Sequence, residues 1–569
     1  MIPFYFDQCF GWFHPARSKR GVVICPAFGV EELCTHRFMR QLAEQLAAAG
    51  LPTLRFDYHG TGNSAGSDLD EARVEHWLGS IRAAMKWLQE NAGVSEIALI
   101  GFRLGALLAT EIARESGDVL QLALIAPPVS GKTHLREMKA LSALIAQSTR
   151  ADAASQTSGG ESLLEVAGFL VTRETSESLR QIDLLALQKK PAEHVLVLGR
   201  ADAVNDERLT HHFRELGSQV ERKVLPGYAE MEWNSTVASL PGNAFDELVD
   251  WMARDLLSSV QNSASYSLSH ELRTETWHED TAEFGNGVRL FGIRCRPTVA
   301  TKSTAVLFVN HGSNHHIGWA RMFVQLARRL AAQGVTSLRM DIAGIGDSPA
   351  HPGQTENQLY YRGSQRDVYA ALDWLQQQGY GECAVVGHCA GAHLGFFSAT
   401  HDRRISKLVL LNLQRFFWKR GDSLQVAMRN GFRSSSWYLA NAFDFTVWRR
   451  LFRGDINVRG ITKALMQRLV KRYGRSNAVA NPASGQTQRQ KVLSWFRQFQ
   501  ERGTDVLLVY SAEDGGLDEI ALHGGRNARK IRKLPNVQFR IIDGADHNIT
   551  APSAFEEYAQ ILEEYLVRT

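Results

Sequence analysis

The strongest constraint in this sequence is an internal duplication. Residues 54–66 (LRFDYHGTGNSAG) match residues 338–350 (LRMDIAGIGDSPA), and residues 97–110 (IALIGFRLGALLAT) match residues 383–400 (CAVVGHCAGAHLGFFSAT). The matching segments lie 284 and 286 residues apart, so both their order and their spacing are preserved. Such a repeat predicts two copies of one fold, and a single hydrophobic core rarely serves more than about 300 residues.

Within each copy, short β-branched runs alternate with amphipathic helical patterns. The runs are GVVICPA, LPTLRFDY, EIALIG, QLALIAP and HVLVLG in the first copy, and AVLFVNHG, VTSLRMD, CAVVG, KLVLLN and DVLLVYS in the second. This alternation predicts an α/β fold in which each copy has a mostly parallel sheet with helices on both faces. We place the first domain at residues 1–258, a Ser- and Asn-containing linker at 259–268, and the second domain at 269–569.

The second copy carries a cysteine between two glycines where an apolar strand meets a helix. Residues 386–391 read VGHCAG, which resembles the G-x-nucleophile-x-G elbow of the α/β-hydrolases with Cys389 in place of serine. Glycines are needed there because the sharp strand-to-helix turn leaves no room for side chains beside the nucleophile. We therefore predict two tandem α/β-hydrolase domains, and we expect Cys389 to be the nucleophile of the second.

An acid and a histidine follow Cys389 in the chain order that this fold requires. The strand at residues 505–511 leads into Asp514, which we expect to be the acid, with Glu513 as the alternative. The last strand leads into His547 on a loop. The predicted triad is therefore Cys389, Asp514 and His547.

Two backbone amides should stabilise an oxyanion beside this cysteine. One is the amide of Ala390, at the start of the helix, and the other is that of Ser313, or else Gly312, in the turn after the first core strand. His311 and His388 are candidate substrate-binding residues.

A metal site must also be considered, because His311, His315 and His316 cluster in sequence. No acidic residue stands at ligand spacing from them, so we expect neither a metal nor another cofactor.

The six cysteines form no CxxC pair, and we expect free thiols in a reducing compartment. The sequence has neither a signal-peptide pattern nor an apolar stretch long enough to span a bilayer, which predicts a cytoplasmic protein.

The first copy has lost this chemistry. Its elbow reads Gly101-Phe102-Arg103-Leu104-Gly105, and a guanidinium cannot serve as an acyl nucleophile because it stays protonated. Asp202 stands at the acid position, but residues 228–231 (YAEM) replace the expected histidine. Two hypotheses remain open: Arg103 forms an ion pair with Asp202 or Glu230 that plugs the old site, or it binds an anionic ligand or substrate group.

Residues 415–500 stand where many α/β-hydrolases insert a helical cap. They contain 17 Lys and Arg against three acidic residues, Asp422, Asp444 and Asp455. A basic cap would attract an anionic acyl donor, such as a coenzyme A thioester or an acyl carrier protein, or else an anionic membrane surface. No nucleic-acid-binding motif accompanies this charge, so we do not expect a nucleic acid partner.

The two elbows together resemble one group of hydrolases. IGFRLGALLAT is similar to the type 2 exosortase-A-system-associated hydrolases, which carry a G-L-R-x-G-A elbow, and VVGHCAGA resembles the type 1 hydrolases of that system, which carry cysteine there. The second elbow departs from the type 1 pattern at His388 and Gly391. The resemblance implies an α/β-hydrolase fold and a link to exopolysaccharide or secondary-metabolite gene neighbourhoods, and it does not supply a substrate.

These observations support three hypotheses about function. The first is a cysteine-dependent acyl hydrolase, a thioesterase or esterase that forms an acyl-cysteine intermediate. The second is an acyltransferase that passes an acyl group from a coenzyme A or carrier-protein thioester to an amine, hydroxyl or thiol. The third is a scaffold or carrier-binding protein without catalytic activity.

Overall fold

The ten apolar runs of the sequence become parallel strands of two separate sheets. The structure is a computed structural model that describes residues 1–149, 163–200, 204–231, 234–256, 266, 268–299, 302–418 and 487–567. The proposed linker at 259–268 lies almost wholly outside these residues, as does most of the proposed cap, from 419 to 486.

The first sheet has eight strands in the order β1-β2-β4-β3-β5-β6-β9-β10, and all of its pairings are parallel except those of β1 and β2. The strands of this unit are β1 (Ile2–Phe6), β2 (Cys9–His14), β3 (Arg20–Cys25), β4 (Thr53–Phe56), β5 (Glu96–Phe102), β6 (Val119–Ile125), the separate antiparallel hairpin β7 (Leu163–Val166) and β8 (Phe169–Thr172), β9 (His194–Gly199) and β10 (Gln219–Val224).

Helices cover both faces of this sheet. They are α1 (Val30–Ala48), α2 (Arg73–Asn91), α3 (Leu104–Ser116), α4 (Gly131–Thr149), α5 (Arg173–Arg180), α6 (Val204–Glu215) and α7 (Asp246–Met252). Buried residues of α2 and α3 form the core on one face, and those of α1 and α7 form it on the other. Two-sided burial explains why the central strands are almost uninterrupted apolar runs.

The second sheet has nine strands in the order β11-β12-β13-β15-β14-β16-β17-β18-β19, with antiparallel pairing only among β11, β12, β13 and the β13–β15 pair. Its strands are β11 (Glu271–Arg273), β12 (Trp277–Phe284), β13 (Leu290–Pro297), β14 (Thr304–Val309), β15 (Ser337–Met340), β16 (Glu382–His388), β17 (Ile405–Leu411), β18 (Asp505–Ser511) and β19 (Val537–Ile542). Its helices are α8 (Met322–Ala332), α9 (Gln365–Gln377), α10 (Ala390–Ala399), α11 (Gln488–Arg502), α12 (Gly516–Gly524) and α13 (Pro552–Val567).

The antiparallel strands at the start of each unit escaped the sequence analysis. In β12 the run WHEDTAEF lacks an apolar stretch, yet Glu279 is fully buried. Its carboxylate binds the guanidinium groups of Arg339 and Arg328, each at 2.7 Å. A strand whose buried positions hold an ion pair carries no hydrophobic signal, so only the packing identifies it.

The two units contact each other through these antiparallel strands and through the repeated segments. The indole of Trp12 packs against Phe291, with ring centroids 4.3 Å apart. Arg55 in the first repeated segment donates to Asp347 of the second, and Arg339 in the second donates to Asn63 of the first. Equivalent positions of the duplication thus contact each other reciprocally, which is the pattern of a twofold interface.

Candidate active site

Cys389 occupies the turn between β16 and α10. Its backbone has φ 56° and ψ −114°, and its amide donates to the carbonyl of Leu411 at 3.0 Å. A β-carbon on Gly391 would stand 2.2 Å from the carbonyl oxygen of Asn310, and one on Gly387 would stand 2.3 Å from that of Gly391. Both flanking glycines are therefore required by close backbone contacts, as the sequence motif predicts.

The predicted acid and histidine meet at the ends of neighbouring strands. Asp514 follows β18 and His547 follows β19, and the imidazole Nδ1–H donates to Asp514 Oδ2 at 2.6 Å. Burial disfavours the imidazolium, but the negative charges of Asp514 and of a Cys389 thiolate outweigh it and raise the pKa of His547 well above 6.5. Asp514 and His547 thus form a hydrogen-bonded pair, and Cys389 lies close enough to act on the charge of the imidazole.

Gln414 holds the carboxylate of Asp514 in place. Its Nε2 donates to Asp514 Oδ1 at 2.6 Å, and the amide of Gly516 donates to the same oxygen at 2.7 Å. Asp514 is therefore buried with both oxygens occupied, and Oδ2 is oriented toward His547. Glu513, the alternative acid, does not take this position.

The expected oxyanion donors lie on residues 310–319, which we call the oxyanion loop, and at the start of α10. Gly312 has φ 58°, and Gly312 and Ala390 line one small cavity of about 20 Å³. Ser313 is not among the described residues that line this cavity. The structure thus brings Gly312 and Ala390 to the same cavity.

His311 and His388 form a stacked pair beside the triad. Their ring centroids lie 3.6 Å apart with the planes at 17°. His388 Nε2–H donates to the backbone carbonyl of His547 at 2.7 Å, a carbonyl that also accepts from Asn412 at 2.9 Å. Burial lowers the pKa of both His311 and His388 well below 6.5, so both rings are neutral. His388 therefore helps to hold the loop that carries His547.

These rings are also one of the groups that could hold a metal ion. Ring nitrogens of His311, His388 and His547 lie within 4.8 Å of one another. His315 and His316, which lie near His311 in the sequence, do not belong to this group of rings because they face the first unit. An ion bound by these three rings would compete with Cys389 for the imidazole of His547.

Tyr360 is a residue near Cys389 that the sequence analysis missed. Burial, together with the charge of the neighbouring Cys389 sulfur, raises the pKa of its phenol well above 10. The ring stacks on Trp418 with centroids 4.4 Å apart, and its backbone has φ 56°. Tyr360 lies in a loop between β15 and α9 and belongs to no recognisable motif, so no signal in the sequence pointed to it.

At the elbow of the first unit, Arg103 takes the position of the nucleophile with φ 53°. The guanidinium is buried and binds Glu31 through Nε at 2.6 Å and Glu137 through Nη2 at 2.5 Å. Nη1 donates to the carbonyl of Ala126 at 3.2 Å.

Of the two partners expected for Arg103, Glu230 is solvent-exposed, and Asp202 lies outside the described residues. Among the described residues, the guanidinium binds Glu31 on α1 and Glu137 on α4. Two carboxylates on one guanidinium favour the ion-pair interpretation over an anion-binding one.

Comparisons with known proteins agree with this architecture. A family model described as serine aminopeptidase, S33, matches residues 17–162, and one described as alpha/beta hydrolase family matches residues 306–561. The chain has the α/β-hydrolase fold in two tandem units. No curated protein matches it. Within the described residues, no helix has the length and hydrophobicity of a transmembrane span.

Three solved structures similar to the chain each cover about half of it. An esterase of Pyrococcus furiosus is 17% identical over 51% of this chain and 90% of its own, with a TM-score of 0.33. A proline iminopeptidase of Mycobacterium smegmatis is 15% identical over 51% and 98%, with a TM-score of 0.33. A putative alpha/beta hydrolase of Agrobacterium tumefaciens is 16% identical over 51% and 95%, with a TM-score of 0.30.

Proposed function

We propose that the second unit is a cysteine-dependent acyl hydrolase, a thioesterase or esterase, with Cys389 as nucleophile. The observation that carries this proposal is that Cys389, at a strained turn, lies beside His547, whose imidazole is hydrogen-bonded to Asp514. An ordinary buried cysteine needs neither a histidine partner nor a left-handed backbone conformation. Backbone strain of this kind persists only where the surroundings enforce it, and it is frequent at active sites.

In the first half of the proposed reaction, His547 accepts the proton of the Cys389 thiol and the sulfur attacks the carbonyl carbon of the substrate. The carbonyl π electrons move to the oxygen, and the amides of Ala390 and of Gly312 or Ser313 stabilise the resulting oxyanion. As the carbonyl re-forms, the bond to the leaving alcohol or thiol breaks, and His547 returns its proton to that group. The product is an acyl-cysteine.

In the second half, His547 takes a proton from water, and the water oxygen attacks the acyl-cysteine. Collapse of the second oxyanion expels the Cys389 sulfur, which regains its proton, and the carboxylic acid is released. Asp514 stays ionised throughout and holds His547 in the tautomer that presents Nε2 to the sulfur. A thioester also reacts readily with amines and thiols, so an acyltransferase is the second candidate.

The charge of the chain suggests the kind of acyl donor. Residues 415–500 carry 17 Lys and Arg, and we propose that they attract a coenzyme A or carrier-protein thioester.

The resemblance of both elbows to the exosortase-A-system-associated hydrolases supports a role in exopolysaccharide or secondary-metabolite synthesis. All six cysteines are free thiols, which supports action in the reducing cytoplasm.

Intact-mass spectrometry of the full chain with acyl thioesters of graded chain length tests the proposal. We expect an acyl adduct on the wild-type protein that is absent in Cys389→Ala, and free acid as the product. Each acyl group is offered both as the coenzyme A thioester and as the uncharged N-acetylcysteamine thioester, so that the effect of donor charge is separated from acyl recognition.

The control is Cys383→Ala, which removes a buried cysteine six residues away and should leave the adduct in place. Turnover that appears only with an added amine, alcohol or thiol would replace the hydrolase by the acyltransferase. The absence of any adduct across the thioester series, in a protein that folds normally, would favour the scaffold hypothesis.

A further inference from the structure

The oxyanion loop of the second unit is held largely by residues of the first. At its start, Ser235 donates through Oγ to Asn314 Oδ1 at 2.7 Å. Thr236 Oγ1 lies 3.8 Å from the place where a β-carbon on Gly312 would stand. Asn357 donates to the carbonyls of Ser235 and Thr236 at 3.2 and 3.1 Å, which ties this segment to the second unit at another point.

The middle of the oxyanion loop packs against α1 and the first repeated segment. His316 donates from Nδ1 to Asp341 at 2.8 Å, and its Nε2 contacts the side-chain amide of Asn63 at 2.9 Å. His315 stacks on His36 with ring centroids 3.8 Å apart and planes at 9°. The imidazoles of His315 and His316 are buried, so their contacts with the first unit are shielded from solvent.

The end of the oxyanion loop meets the β7–β8 hairpin of the first unit. Trp319 Nε1 donates to the carbonyl of Ala167 at 2.6 Å. A β-carbon on Gly168 would stand 3.2 Å from Ala320 and 3.4 Å from Thr550, three residues after the catalytic histidine. The hairpin therefore touches both the loop of the oxyanion donors and the loop of His547.

The backbone just after the oxyanion loop is strained and is stabilised by the first unit. Ala320 and Arg321 have φ of 46° and 61°, values that side-chain-bearing residues seldom adopt. The guanidinium of Arg321 donates to four carbonyls of the first repeated segment, those of Gly60, Gly62, Ser64 and Gly66, at 2.8 to 3.1 Å. Strain of this kind is retained only where many contacts enforce it.

We propose that the first unit is a positioning element of the second unit's active site, holding the oxyanion loop through Ser235, Asn63 and the carbonyl of Ala167. The catalytic consequence rests on the proposed function, whereas the ordering of the loop does not. This role explains why a unit with arginine at its own elbow keeps a complete hydrolase fold. What it retains is the surface that faces the oxyanion loop.

The test uses three full-length variants: Ser235→Ala, Asn63→Ala and Trp319→Phe. Ser235→Ala and Trp319→Phe each remove one hydrogen bond across the interface, and Trp319→Phe keeps an aromatic ring in place. Asn63→Ala removes the hydrogen bonds to His316 and to Arg339. Ser178→Ala is the matched control, because Ser178 lies on α5 of the first unit and its hydroxyl donates to Glu174 of the same helix. Circular dichroism and thermal melts establish that each variant is folded.

The first readout is amide hydrogen exchange. Exchange in residues 311–319 should become about fivefold faster or more in the three variants and stay unchanged in Ser178→Ala, since lost contacts raise the population of locally open states. Unchanged exchange in all three folded variants would overturn the proposal, whatever the protein catalyses.

The second readout separates positioning from general damage. Acylation of Cys389 forms an oxyanion, whereas alkylation by iodoacetamide displaces iodide from a saturated carbon and does not. We expect acylation to slow about tenfold or more, as when an oxyanion donor is displaced, with alkylation within about twofold of wild type. Equal losses in both reactions would contradict the positioning role. Faster exchange in a protein that is never acylated would instead reject the proposed function and retain the loop ordering.

Discussion

The two elbows of this molecule have the same backbone and opposite chemistry. Arg103 and Cys389 both have φ above 50°, and both are followed by a helix that starts against the preceding strand. At the second elbow the side chain meets a histidine paired with a carboxylate, and at the first it meets two carboxylates. The backbone of the turn is thus preserved by the packing of strand and helix, while the side chain at its tip can change from a reactive to a structural group.

Replacing the acid of the second site tests whether that pairing is what makes the two elbows differ. In Asp514→Asn, His547 Nδ1 loses its carboxylate partner, and the imidazole can adopt the wrong tautomer. We expect the rate of Cys389 acylation to fall about 10³- to 10⁴-fold, measured by single-turnover mass spectrometry. Glu513→Gln removes the charge of the neighbouring residue, and its acylation rate should stay within about threefold of the wild-type rate. A loss as large as that expected for Asp514→Asn would mean that Glu513 is the acid.

Replacing Arg103 of the first elbow tests whether its ion pairs stabilise the first unit. Arg103→Met leaves the buried Glu31 carboxylate without its ion pair, and we expect a loss of about 3 kcal/mol in the free energy of unfolding of the first unit. Urea denaturation measures it, with acylation of Cys389 as the check that the second site is intact.

The double variant Arg103→Met with Glu31→Leu is the matched comparison. Because it removes the uncompensated charge, most of the stability should return. A first unit that is equally stable in all three proteins, together with weaker binding of an anionic acyl donor, would favour the anion-binding hypothesis instead.

The smallest effect concerns pH. Since the pKa of His547 is raised in the folded protein, its protonation stabilises the fold; this contribution is complete below about pH 6.5 and is lost as the pH rises through the folded-state pKa. Relative to His547→Gln, the wild type should therefore lose on the order of 1 kcal/mol between pH 6.5 and the alkaline range. Denaturant midpoints of both proteins at several pH values measure this difference in stability. A stability advantage of the wild type that grows with rising pH would contradict a raised pKa of His547.

Much of the second site was predictable because its residues stand at strand ends in a fixed chain order. Cys389, Asp514 and His547 each follow an apolar strand, and parallel strands bring their carboxyl ends to one edge of the sheet. Gln414 also follows such a strand, β17, so its position offered a signal that the sequence analysis did not use. Tyr360 had none, because a long loop carries it to the thiol.

The partners of Arg103 show a different limit. Glu230 was expected because it stands near the position of the old histidine, but it is solvent-exposed, and Glu31 and Glu137 bind the guanidinium. Both come from helices that cross the elbow from the side. Helix packing over a sheet depends on side-chain volumes along the whole interface, which a motif does not describe.

By itself, the sequence determined that this chain folds as two α/β-hydrolase units and that only the second keeps a cysteine, an acid and a histidine in order. It could do so because strand periodicity, elbow glycines and chain order are local properties. Only the tertiary structure decided that the oxyanion loop of the second unit rests on Asn63, Ser235 and the β7–β8 hairpin of the first. Those contacts join residues far apart in the chain, and their geometry follows from how two folded surfaces fit together.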